Sequence, residues 1–313
     1  MVARIKLKMI SETFKKFKSN LELNETFSKI IESRHNAVRS VVENNGENVK
    51  TQLIGSLQRQ TKIQPSEGQI FDIDILVVLG SFTNWASSGG ISPQDAMRRM
   101  EEIIKESDRY KSMGPEKDQP TVTIPYQDNT KVEFVPAYLD LIGHSPNGIS
   151  HSPVGRAYWI PKNGQWVLAD YDHEATHTTN LNSLTDGWFI PTVKMLKSAK
   201  REYLPELGSF HLEIVAGEII PSTYLQRKQN NLEISYPALI TDFFYHAGQF
   251  LANPTKVNGS HSPNCSLELA SRDKTLTMIS NIKDHCTSIM NLTSDTEKLK
   301  AWRTLFGAAF PTA

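Results

Sequence analysis

The stretch Phe71-Asp72-Ile73-Asp74-Ile75-Leu76-Val77-Val78 limits this chain more than any other. Its apolar residues are mostly β-branched or aromatic, so the spacing predicts an extended strand. Side chains alternate on a strand, which puts Asp72 and Asp74 on one face and Phe71, Ile73 and Ile75 on the other. The two Asp Cα atoms then lie roughly 6–7 Å apart. Two carboxylates held that close beside an apolar core are costly unless positive charge lies between them. A divalent cation with hard oxygen ligands answers that need, and Mg²⁺ suits it best when phosphate oxygens complete the shell.

A second strand, Lys131-Val132-Glu133-Phe134-Val135-Pro136, offers a third carboxylate at Glu133. Upstream of the first strand, Gly55-Ser56 supplies a backbone open to close approach, with a hydroxyl and amide donors that suit a triphosphate. An isolated Asp-x-Asp is more often a solvated pair. The glycine-serine step before it and the acid after it favour the metal site.

In combination, Gly55-Ser56, Asp72-x-Asp74 and Glu133 three residues before Pro136 resemble the polymerase-β-like nucleotidyltransferase superfamily. The longer run Gly55-Ser56-x4-Thr61-x-Ile63-x-Pro65 before the aspartates is similar, more narrowly, to the bacterial CD-NTases. Three further segments agree: Trp188 to Lys197 with Lys194 and Lys197, His211-Leu-Glu-Ile, and the ending Trp302 to Pro311. The third acid is commonly aspartate in that superfamily, and Glu133 reaches about one methylene further.

The resemblance implies an α+β fold, with a nucleotidyltransferase lobe of mixed sheet and helices packed on a helical carboxy-terminal lobe and an active site in the cleft between them. The expected division is residues 1–180, with a bracing amino-terminal helix, and residues 181–313. Asp72, Asp74 and Glu133 are the implied catalytic and metal-binding residues, and Gly55, Ser56, Lys194 and Lys197 the implied nucleotide contacts. Mg²⁺ is the implied cofactor, with Mn²⁺ as an alternative. The implied substrates are ATP and another NTP, joined into a cyclic di- or trinucleotide messenger for CBASS anti-phage signalling. A regulatory protein partner from an anti-phage operon is implied too. Two other outcomes fit the same residues: a nucleotidyltransferase with linear products or another acceptor, and a nucleotide-binding regulator without turnover.

Charge bears on the substrate. Thirty-four basic residues balance 34 acidic ones, whereas proteins that hold long nucleic acids usually carry a basic surface. Neutrality favours small nucleotides. No apolar run approaches the ~18 residues of a membrane span, the amino terminus does not read as a signal peptide, and two cysteines, Cys265 and Cys286, fit a reducing cytoplasm.

Helical periodicity runs through 8–43, with Asn24 as the cap of a second helix. A strand is expected over 49–54, a polar loop over 58–69, a loop over 81–90, and a helix from Ser92-Pro93 to about Tyr110. Residues 121–126 and 130–138 read as a hairpin that carries Glu133 to the aspartates. A loop at the mouth of the site is expected over 140–155, and short extended pieces over 157–168. Helices are expected over 184–204, 210–220, 239–251, 267–285 and 296–306.

Other motifs compete for attention. His173-Glu174-Ala175-Thr176-His177 matches H-E-x-x-H, which on a helix sets two imidazoles one turn apart. The threonines that follow are mediocre helix formers. His261, Cys265, His285 and Cys286 are too widely spaced for an ordinary zinc site. Lys194 and Lys197 share a helix face, either as solvated lysines or, by the resemblance, as phosphate contacts. Tyr158 and Trp159 fit a base-stacking role or a core role equally.

Overall fold

The computed structural model describes residues 2–45, 50–81, 92–118, 120–140 and 157–312. The loops expected over 81–90 and 140–155 fall almost wholly outside them.

Two helices open the chain: α1 (Val2–Leu21) and α2 (Glu25–Asn45). Asn24 separates them as the sequence predicts, its Oδ1 accepting the Phe27 N–H at 3.0 Å. Strand β1 (Lys50–Leu53), the one-turn α3 (Gly55–Gln58) and strand β2 (Phe71–Ser81) follow, then α4 (Pro93–Glu106). Ser92 caps α4 by accepting the Asp95 N–H, with proline in the first turn. Next come β3 (Glu116–Asp118), β4 (Thr121–Pro125), β5 (Thr130–Asp140), β6 (Ala157–Lys162) and β7 (Gln165–Ala169). The rest is helical: α5 (Tyr171–Leu184), α6 (Phe189–Tyr203), α7 (Ser209–Gln229), α8 (Tyr236–Leu251), α9 (Leu269–Asn291) and α10 (Asp295–Phe306).

The strands form one sheet in the order β1-β2-β5-β4-β3, with β6 on β5 and β7 on β6. Strands β2 and β5 run parallel, and the other pairs antiparallel. One edge of β5 is taken by β2. The other is shared by β4 over the first half and β6 near the end.

Both sheet faces are covered, with a break at one corner. Phe71, Ile73, Ile75, Val77 and Leu79 of β2 pack with Val132 and Phe134 of β5 beneath α2 and α4. On the other face Leu76, Val135 and Ala137 pack with Tyr158, Ile160 and Ala169. Upstream on that second face the apolar residues give way to Asp72, Asp74, Lys131 and Glu133.

Three expectations need correction. The first helical segment does not brace both lobes as one unit. Phe14, Phe17 and Leu21 of α1 sit in the core of the carboxy-terminal helices, while Ile31, Val38 and Val42 of α2 sit under the sheet. Phe14 lies 5.1 Å from Phe310 and Phe17 4.7 Å from Phe306, centroid to centroid. A boundary at residue 180 therefore splits a core that joins the chain's two ends. Second, α7 does not stop at Ile220 but runs through Pro221 to Gln229. An interior proline costs a helix about 3 kcal/mol, and the buried Ile219, Ile220, Thr223 and Tyr224 around it offset that.

The predicted helix over 184–204 is also two. Asp186 and Gly187, at φ +49° and +84°, turn the chain between α5 and α6. No helix among the described residues is long and apolar enough to cross a membrane.

Candidate active site

The parallel register sets Asp72 beside Lys131 and Asp74 beside Glu133. The period of two then aims all four side chains at one face. Asp72, Asp74 and Glu133 line a cleft of about 770 Å³, walled by α3 and the sheet on one side and by α6, α7 and residues 262–265 on the other. That volume is in the range of small-ligand sites.

Gly55 approaches the acids more closely than any side chain could. Its φ is +65°, and a Cβ there would lie 2.7 Å from Asp74 Oδ2. The turn is then closed by Ser56, whose carbonyl accepts the N–H groups of Thr61 at 2.9 Å and Lys62 at 3.1 Å. Ser56 lines the cleft beside Asp74.

Asp74 carries the strain of the arrangement. Burial raises its carboxyl to about 6; Glu133 and Asp72 add to the rise and Lys62 opposes it. Lys62 donates to the Asp72 carbonyl at 2.8 Å and lies over the Phe71 ring at 4.5 Å. The Lys131 ammonium bridges Glu133 Oε1 at 2.6 Å and Asp72 Oδ1 at 3.4 Å. As it stands, no group of three or more His, Cys, Asp or Glu among the described residues has the spacing of a metal cage. The donor set nevertheless fits a hard divalent ion: three carboxylates from adjacent strands on one face, with a glycine keeping the approach to Asp74 clear.

A buried charge cluster holds the cleft wall. Arg59 donates to Glu213 through Nε at 2.8 Å and Nη2 at 3.3 Å, and its Nη1 is 3.6 Å from Glu174. Lys197 Nζ is 2.6 Å from Glu213 and donates to the Thr61 carbonyl at 2.9 Å. Thr61 Oγ1 donates to Glu213 at 2.9 Å. Burial disfavours the Glu213 carboxylate, but Lys197 and Arg59 outweigh it and hold the group at about 2. Burial also pushes Lys197 down to about 8, partly offset by Glu213. Nearby, Asp172 at the start of α5 accepts from Gln58 at 2.8 Å, Tyr158 at 2.8 Å and Gln52 at 3.1 Å. Both ends of the Gly55-Ser56 turn are therefore tied to the helical lobe.

The structure brings Asp72, Asp74, Glu133, Gly55 and Ser56 together. Lys197 reaches the same cleft, but its ammonium is spent on Glu213 and Thr61. Lys194 does not face the cleft: its Nζ pairs with Glu22 at 2.6 Å, on a separate depression behind α3. The two lysines lie less than one turn apart, and what stands opposite each, Glu22 or Glu213, decides the difference.

The H-E-x-x-H residues do lie on a helix, α5, with the His173 and His177 rings 6.1 Å apart. Glu174, however, is buried against Ser262 at 2.6 Å and Arg59, and His173 Nε2 meets the Asn258 carbonyl at 2.9 Å. Cys286 is buried in the helical core, while Cys265 pairs in a short bridge with Thr255. Tyr158 hydroxyl is committed to Asp172, and Trp159 belongs to the sheet core.

Arg59, Lys62 and Lys131 were not singled out from the sequence. Lys131 was the most accessible of them, because a residue two before Glu133 on a strand must share its face.

Comparison with known proteins follows the same line. Residues 9–147 match the family described as Second Messenger Oligonucleotide or Dinucleotide Synthetase domain. No curated protein matches the chain in sequence. Among solved structures, the E. coli MS115-1 CdnC:HORMA-deltaN complex is similar at TM-score 0.66 and 13% identity, over 96% of this chain and 98% of that one. The Bradyrhizobium diazoefficiens CD-NTase CdnG in complex with GTP gives 0.66 and 11%, over 94% of each. The Rhodothermus marinus CdnE c-UMP-AMP synthase with Apcpp and Upnpp gives 0.62 and 12%, over 91% and 98%. At these identities the likeness establishes the fold, which is the expected α+β nucleotidyltransferase architecture with a helical carboxy-terminal portion.

Proposed function

We propose that this chain, whose residues 9–147 match the second-messenger oligonucleotide or dinucleotide synthetase family, is a nucleotidyltransferase of the bacterial CD-NTase family that joins NTPs into a cyclic di- or trinucleotide through metal-dependent phosphoryl transfer. The observation that carries the reading is the convergence of Asp72, Asp74 and Glu133 on one face of β2 and β5, at the floor of a cleft large enough for nucleotides.

In this reading Asp72, Asp74 and Glu133 hold Mg²⁺ or Mn²⁺, which supplies charge neutralisation at the transferring phosphate and a lowered pKa for the attacking ribose hydroxyl. Glu133 and Asp74, side by side in register, orient the acceptor. Ser56 and the amides of its turn hold the donor's outer phosphates. Catalysis is then largely positioning and electrostatics. Closing a ring takes a second transfer at the same site after the linear intermediate turns round.

The CdnG structure is with GTP and the CdnE structure with Apcpp and Upnpp, which supports NTPs as substrates here. The CdnC structure is a complex with HORMA, which supports a regulatory protein partner. A cytoplasmic CBASS alarm against phage is the biological setting we propose.

Gly55→Ala tests the role of the turn. The side chain strains a left-handed backbone by about 1–2 kcal/mol and drives a methyl into Asp74 Oδ2. Pyrophosphate release from mixed NTPs is expected to fall at least about tenfold, with a folded protein by circular dichroism. Undiminished release would remove the Gly55-Ser56 turn from the site.

A further inference from the structure

Four side chains on one face of β2 and β5 form a two-by-two array, with Asp72 beside Lys131 and Asp74 beside Glu133, and the three acids line the cleft. Three corners are acidic and the fourth is a lysine. Its ammonium does not turn away to solvent. It lies 2.6 Å from Glu133 Oε1 and 3.4 Å from Asp72 Oδ1. Lys62, the other cation at the site, is fixed differently: its Nζ is bound to the Asp72 backbone carbonyl and sits over the Phe71 ring. Lys62 therefore contributes a constant charge, while the contacts of Lys131 among the described residues are to the carboxylates themselves.

We propose that Lys131 is the resident counter-ion of the acidic site, its ammonium filling the space between Asp72 and Glu133 that a divalent cation takes, so that loading the metal is an exchange in which the ammonium leaves. The inference rests on the reading of Asp72, Asp74 and Glu133 as metal ligands. An ammonium and a divalent ion cannot share two carboxylates, since a unit and a double charge about 4 Å apart repel strongly even at the dielectric of water. The Lys131 side chain is 31% exposed, against 19% for Glu133, so its tip has room to swing off the carboxylates to the edge of the cleft that they line. There the displaced ammonium meets the phosphates of an incoming nucleotide. Free metal has no such anion to offer it. The exchange therefore favours metal that arrives with a nucleotide over metal alone, and offsets part of the charge of the clustered acids between turnovers.

The test is Mn²⁺ binding to the full chain without nucleotide, read from the free-ion electron paramagnetic resonance signal. Wild type, Lys131→Met, Lys131→Arg and Asp72→Asn/Asp74→Asn are compared. Lys131→Met is expected to bind Mn²⁺ about tenfold tighter or more, and Lys131→Arg, which keeps the charge, to stay within about twofold of wild type. In EDTA the Met variant melts lower than wild type, and saturating Mn²⁺ raises its melting temperature further than it raises that of wild type. A Met variant with unchanged, weaker or still undetectable Mn²⁺ affinity overturns the proposal. Pyrophosphate release keeps that failure separate from failure of the site: release by wild type that is lost in Asp72→Asn/Asp74→Asn leaves the ligand reading standing whatever Lys131→Met does.

Discussion

Asp74→Asn is expected to lower nucleotidyl transfer by about 10³-fold or more while making the metal-free protein harder to melt. On the proposed function, losing a carboxylate that would hold the metal removes charge stabilisation made only at the transition state. Stability moves the other way because Asp74 is a liability to the fold. Its folded value of about 6 stands above the ordinary 3.8, through burial reinforced by Glu133 and Asp72 against the opposing Lys62. A group raised in the folded state contributes stability below its unfolded value and loses it as pH rises through the folded one. Wild type in EDTA is therefore expected to weaken between about pH 4 and 6, by up to about 3 kcal/mol, and Asp74→Asn to lack that decline. Pyrophosphate release and melting curves at pH 4.5 and 7 check both halves. A variant that loses activity and stability together would mean that Asp74 is held for folding.

Glu213→Gln is expected to have the largest effect on stability. The amide keeps the shape but leaves Lys197 buried without its carboxylate partner and Arg59 with Glu174 at 3.6 Å. Removing one member of such a cluster costs about 3–5 kcal/mol, or roughly 5–8 °C in melting temperature for a chain of this length. Because Glu213 is depressed to about 2 from an ordinary 4.5, its contribution is present above the unfolded value and is lost as pH falls from about 4.5 toward 2. The variant should lack that acid limb. Adding Lys197→Met should recover part of the loss, since a buried charge without its partner costs more than an apolar side chain. Activity should fall as well, because Arg59 and Thr61 follow Gly55 and Ser56 directly on the wall that Glu213 holds.

The acidic half of the site was readable from the chain. Period two on 71–78 put Asp72 and Asp74 on one face, and the hairpin over 121–138 brought Glu133 to them, as the register of β2 and β5 shows. Those inferences needed only local geometry. The other half depends on partners far apart: Arg59 meets Glu213 across 154 residues and Lys197 meets Thr61 across 136. No periodicity carries that information. Lys194 and Lys197 looked alike for the same reason, since spacing fixes a helix face but not what lies opposite it. The helix expected over 210–220 continues through Pro221 because tertiary burial outweighs the proline's local cost. The α1 helix reads as amphipathic in either lobe, and only the docking of Phe14 and Phe17 on Phe306 and Phe310 decides which.

The most direct test of the central claim is the product itself. The purified chain is incubated with all four NTPs and Mg²⁺, or Mn²⁺ in parallel, treated with phosphatase, and read by mass spectrometry. A phosphatase-resistant cyclic di- or trinucleotide, absent with Asp72→Asn/Asp74→Asn, is the predicted result. Exclusively linear products, or a cyclic product that persists in the double variant, would contradict it.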